Sequence, residues 1–164
     1  MQAIQTMSTY PIKDISTTTE RYKLYTLMCN SNELADKIAF VKSQNINVIN
    51  IGKELANYID SLEDFRYLNI DVYDHTKKLL DKHRSKINGA GNDVVAIYNL
   101  GILMEPALEL NAVQLFKEFS KSTSLIIIWD NQSENPDRLD WQTQKQNFFL
   151  DFSDIQLKKL QYAI

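Results

Sequence analysis

The stretch "LYTLMCNSNELADKI", Leu24–Ile38, decides how the rest of the chain is read. Its first residues form a nearly continuous apolar run, the pattern of a strand buried on both faces. A short polar turn follows, and then Leu34, Ile38 and Val41 recur at helical spacing, with Ser31 or Asn32 placed to cap the helix. A buried strand leading through a tight turn into a helix is the opening half of a βαβ unit. In many parallel α/β proteins that turn is a glycine-rich phosphate cradle, yet this one contains no glycine.

Outward from this junction, apolar and helical segments keep alternating, the sequence form of a parallel sheet with helices on its faces. The spacing predicts strands at Tyr22–Met28, Asn47–Gly52, Val94–Leu103 and Ser124–Asp130, with "FFLDF" as an edge strand. Helices are expected over Asn32–Ser43, in "KELANYI", over Asp71–Ile87, over Asn111–Ser122 and in the closing "SDIQLKKLQYAI", where Ser153 is the cap. The segment "NQSENPDRLDWQTQKQ" reads as a polar loop. Residues 1–20, rich in Ser and Thr and interrupted by Pro11, read as a mobile arm or short leading helix ahead of a single α/β domain at 21–164. The expected architecture is three-layered, with a mostly parallel sheet of four or five strands.

Composition narrows the function classes. A chain of 164 residues suits one domain that needs no metal or disulfide staple. The net charge of -3 supplies no global field for nucleic acid or an anionic membrane. One cysteine, Cys29, forms no internal disulfide, and no signal-like leader is evident. The apolar runs fall far short of the ~20 residues that span a bilayer. A cytoplasmic setting without membrane contact is therefore expected.

The phosphate-binding pattern G-x-x-x-x-G-K-[ST] requires glycines to open the backbone, a lysine for the outer phosphates and a hydroxyl for magnesium. With Cys29 in the first glycine position, the others fall on Leu34, Ala35 and Asp36. Only Ser31 and Lys37 are left to touch an anion, and Glu33 would repel it. At the end of the strand "VVAIYNLGILMEP", Asn99 stands where a magnesium-ordering aspartate is expected, and the next acid, Glu105, comes six residues later. Ser31, Lys37 and Asn99 thus mark a vestigial nucleotide site. No catalytic residue, no metal and no ATP or magnesium cofactor are expected.

The order "INIGKELANYI", "AIYNLGILMEPALELNAVQLFKEFSKSTSLIIIWD" and "RLDW" resembles BrxF, the small P-loop protein of bacteriophage-exclusion (BREX) systems, across about residues 22–145. In that family a short strand enters an N-x-G-x-x-L stretch, and an acidic strand later leads into a helix ahead of another apolar strand. The resemblance implies an AAA-like core without the usual helical lid, set in a prokaryotic anti-phage complex. Because both motif positions are replaced, it implies an adaptor or scaffold whose partners are the other subunits. A nucleotide-binding regulatory subunit and a DNA-binding module of the same kind of complex are the alternative readings.

Surfaces would then carry function. Arg138 and Trp141 form a candidate interface anchor, since both residue types are enriched in binding hot spots, and Glu105 joins them. Trp141 folding back onto the core is the competing reading. Lys77, Lys78 and Lys82 are the candidate phosphate contacts to DNA, although Asp71, Asp74 and Asp81 dilute their field. His75 and His83, eight residues apart on one helix, are too distant to share a metal and read as solvated. Cys29 at a helix start reads as packing before nucleophile. Asp137, Asp140 and Lys145 invite a nuclease reading, but a loop cluster alone does not converge on a metal.

Overall fold

The structure, a computed structural model, describes residues 9–87, 89–131, 135, 137–144, 146–155 and 157–161. Strands β1 (Thr9–Pro11), β2 (Leu24–Met28), β3 (Val48–Asn50), β4 (Val94–Tyr98), β5 (Ser124–Trp129) and β8 (Lys158–Gln161) form one six-stranded sheet in the order β1-β8-β2-β5-β4-β3. Every pairing between its strands is parallel. Strands β6 (Arg138–Gln142) and β7 (Asn147–Asp151) form a separate antiparallel hairpin. The helices are α1 (Leu34–Ser43), α2 (Ile51–Ser61), α3 (Leu68–Lys82) and α4 (Ala112–Ser120).

Alternation along the central strands creates two cores. Leu24, Val95, Ile97, Leu125, Ile127 and Trp129 face one side, where α2, α3, α4 and the hairpin cover them. Tyr25, Leu27, Val94, Ala96, Ile126 and Ile128 face the other, covered by Val41 of α1 together with Ile12, Ile15 and Ile46. Burial on both faces accounts for the unbroken apolar runs of β2, β4 and β5, and gives the three layers that the sequence predicts. Helix α2 follows β3 without a loop because Asn50 caps it, its Oδ1 accepting from the Lys53 N–H at 3.1 Å. Asn111 caps α4 in the same way, accepting from Gln114 N–H at 3.0 Å.

Several boundaries differ from expectation. The sheet has six strands because the two terminal segments join it. Thr9–Pro11 pairs with Lys158–Gln161, and the next residues form a 3-10 turn, Ile12–Thr17, with Ile12 and Ile15 buried. The segment expected to be a mobile arm or leading helix is thus packed from residue 9. The expected closing helix is strand β8, inserted between β1 and β2. Leu157 and Leu160 satisfy helical spacing, but pairing on both sides satisfies the segment's backbone groups and overrides that local signal. The expected polar loop holds β6, and "FFLDF" contributes β7 to the hairpin and not to the main sheet. Leu139 pairs with Leu150 and both are buried, a two-residue alternation obscured by the surrounding polar residues. The strand expected to extend to Leu103 ends at Tyr98, followed by a 3-10 turn at Gly101–Met104.

Ile15 is 1% exposed, so Ile15→Ala is expected to destabilise the chain by about 2–4 kcal/mol in urea unfolding. A change near zero would show that the N-terminal segment is detached from the sheet.

Candidate functional site

In open parallel sheets, ligands bind outside the carboxyl ends of the strands where successive connections diverge. Here β2 leads through α1 to β3, on the far side of β5 and β4, whereas β5 leads through the hairpin to β8 on the opposite side of β2. The switch point therefore lies at the ends of β2 and β5, with the end of β4 beside it. Cys29, Asp130 and Asn99 are the first residues beyond those three strands.

The turn after β2 is closed by the chain's own groups. Cys29 N–H donates to the Trp129 carbonyl at 3.0 Å. Asn30 N–H donates to Glu33 Oε1 at 3.0 Å, and Glu33 N–H donates back to the Asn30 carbonyl at 2.9 Å. A carboxylate thus holds a backbone donor of the kind a phosphate oxygen would take in a cradle. Ser31 is exposed on this turn, and Lys37 lies in the first part of α1 with only 7% of its surface exposed. Burial pushes the Cys29 thiol above its usual range; the carboxylates of Asp130 and Glu33 push the same way, and Lys37 opposes them. Cys29 is therefore held as the thiol and lacks the activated character of a nucleophile.

Asn99 is engaged differently. It adopts a left-handed conformation, φ 61°, which Asn tolerates better than most residues. Its Nδ2 donates to Asn50 Oδ1 at 2.8 Å, the same oxygen that caps α2 through Lys53 N–H. That oxygen thus accepts twice, from a backbone N–H and from the side-chain amide at position 99. An aspartate there would turn a second acceptor toward it. The contact also fixes Gly52: a Cβ at this position would lie 2.4 Å from Asn99 Nδ2 and 3.1 Å from the Asn99 carbonyl oxygen. Asn50 and Gly52 were not singled out in the sequence, although the N-x-G-x-x-L pattern beginning at Asn50 was their signal.

Trp141 lies half-buried beneath the hairpin. It stacks on its cross-strand partner Phe148 with ring centroids 5.5 Å apart. A Cβ on Gly101 would meet its Cη2 at 2.8 Å. Its ring is thus committed to packing, while Arg138 pairs with Asp140 at 2.9 Å and lies over the Phe149 ring at 4.5 Å. Glu105 is exposed and, with Pro106, Thr143, Gln144, Gln146 and Phe148, lines a groove of about 530 Å3.

The other candidates do not converge. Lys77, Lys78 and Lys82 are exposed on α3, whereas Arg84 and Lys86 are paired with Asp81 and Asp93. The two histidines, expected to be solvated, are both engaged. His75 stacks on Tyr58 at 3.8 Å, and burial lowers its pKa, with Glu54 opposing and Lys78 reinforcing. His83 Nδ1 lies 2.8 Å from the Leu79 carbonyl. Asp137 Oδ1 accepts from Leu157 N–H at 3.3 Å, and Lys145 lies outside the described residues. Among the described residues, no three His, Cys, Asp or Glu side chains are grouped to hold a metal, and no helix is long and apolar enough to cross a membrane.

Comparison with protein-family models, with curated protein sequences and with solved structures finds no match to this chain.

The tie between Asn99 and Gly52 predicts a coupled pair of substitutions. Gly52→Ala is expected to cost about 1 kcal/mol in the wild-type chain by displacing the Asn99 amide. In an Asn99→Gly background the same change is expected to cost less, because the amide clash is gone and only the 3.1 Å contact with the backbone carbonyl of residue 99 remains. Thermal unfolding of the four variants measures the coupling, and additive effects would contradict it.

Proposed function

We propose that the chain is a non-catalytic adaptor of P-loop-like fold, working as one subunit of a prokaryotic anti-phage defence assembly of the BREX kind. The carrying observation is the double use of Asn50 Oδ1, which takes the amide of Asn99 at the position where magnesium-dependent hydrolysis would require a carboxylate. Glu33 supports the same reading from the other half of the cleft, since its carboxylate takes the Asn30 N–H and sets negative charge where a polyphosphate would lie. The setting in a defence assembly rests on the resemblance of the segment order to BrxF, and the adaptor role rests on a cleft whose hydrolytic groups are replaced. Such a subunit works by holding partners and not by turning over a substrate.

Calorimetric titration of the full chain with ATP and magnesium, paired with affinity purification from the source cells, tests the reading. The expected outcome is no saturable heat, together with a complex of fixed composition that is the same for wild type and Lys37→Ala. Micromolar binding abolished by Lys37→Ala, or a chain that purifies alone, would overturn it.

A further inference from the structure

The connection from α2 into α3, "LEDFRYLNIDVYD" at 62–74, places apolar residues on both sides of the helix start. Val72, Thr76, Leu79 and Leu80 enter the core, and Leu68 and Tyr73 pack against it. Ile70 does not follow them. It is 53% exposed, Phe65 is 57% exposed and Tyr67 is 61% exposed. Three of the four large apolar side chains exposed among the described residues thus fall within six positions. Clustered apolar exposure of this kind marks interaction sites, whereas single exposed apolar residues are ordinary.

Beside Ile70 opens a groove of about 190 Å3. It is lined by the apolar Ile70, Tyr73 and Leu110 and by the acids Asp74 and Glu109. Asp74 and Glu109 are its charged lining residues, and the adjoining sequence adds Glu63, Asp64 and Asp71 against Arg66, whose guanidinium is held by Asp64 at 2.7 Å. The next cations, Lys77 and Lys78, come a turn further along α3.

We propose that this surface binds a basic amphipathic helix of a partner protein. One aliphatic side chain of that helix enters the groove between Ile70, Tyr73 and Leu110, its apolar face covers Phe65 and Tyr67, and its Lys or Arg residues meet Asp74 and Glu109. The proposal rests on the adaptor reading and names the partner chemistry for it. Charge selects the occupant. A second copy joined by a two-fold axis would set these carboxylates against themselves, and a nucleic acid would bring phosphates to them. Only a cationic, apolar segment satisfies both halves of the surface.

The test uses the full chain and two fluorescein-labelled helical peptides of one amphipathic pattern, built from Leu with Lys or from Leu with Glu. Fluorescence anisotropy at low salt is expected to show the Lys peptide binding at least about tenfold tighter than the Glu peptide. Phe65→Ser with Ile70→Ser is expected to weaken the Lys peptide by about tenfold or more at unchanged circular dichroism. Asp74→Asn with Glu109→Gln, which leaves the apolar contacts in place, is expected to reduce its salt dependence. Equal binding of the two peptides, or a Ser variant that binds like wild type, would overturn the proposal. Self-association of the wild type that the Ser substitutions abolish would overturn it in favour of a second copy. Titration of the same preparation with ATP and magnesium keeps the outcomes apart, because saturable nucleotide binding strikes at the adaptor reading whereas peptide results strike only at this surface.

Discussion

One oxygen atom constrains the carboxyl edge of this sheet. Asn50 Oδ1 accepts from the Lys53 N–H, which starts α2, and from the Asn99 amide, which fixes the residue after β4. These two bonds tie the beginning of one helix to the end of a neighbouring strand. With an asparagine at 99, which tolerates its left-handed backbone, they account for the lack of a side chain at residue 52 and for α2 beginning the moment β3 ends. Each choice alone is a mild local preference. Their mutual dependence makes the arrangement specific, in the sense that changing one member leaves another clashing or unpaired.

The same edge shows how the ends of the strands are occupied by the chain's own groups. The sheet's two buried faces hold β2, β4 and β5 in place, so their ends stay together whatever residues follow them. At the end of β2 the next turn folds on Glu33, and at the end of β4 the amide of Asn99 turns toward Asn50. The first of these points carries a carboxylate, and the second an amide that donates. In the proposed adaptor, binding falls to other surfaces, and Phe65, Tyr67 and Ile70 are three of the large apolar side chains exposed among the described residues.

The interior of the fold was legible in the sequence because burial on both faces writes itself as unbroken apolar runs. Leu24–Met28, Val94–Tyr98 and Ser124–Trp129 all fall within the expected strands. The periphery was harder to read for a physical reason. Thr9–Pro11 and Lys158–Gln161 are short, and their strand character comes from pairing with each other and with β2, a long-range fact that local spacing does not encode. The hairpin carries period-two alternation over only a few residues, which polar neighbours hide. In the site, Asn99 stood out as an amide at the end of an apolar strand where an acid was expected. Its link to Asn50, forty-nine positions earlier, did not, because the N-x-G-x-x-L pattern marks Asn50 but nothing in the spacing joins the two.

Amide hydrogen exchange at Asn30 tests most directly whether the chain's own carboxylate closes the cleft. The account predicts that this amide is protected in the wild type, that Glu33→Ala removes the protection and that ATP with magnesium adds none. Rapid exchange in the wild type that slows when ATP and magnesium are added would contradict it, because the donor would then be free for a phosphate.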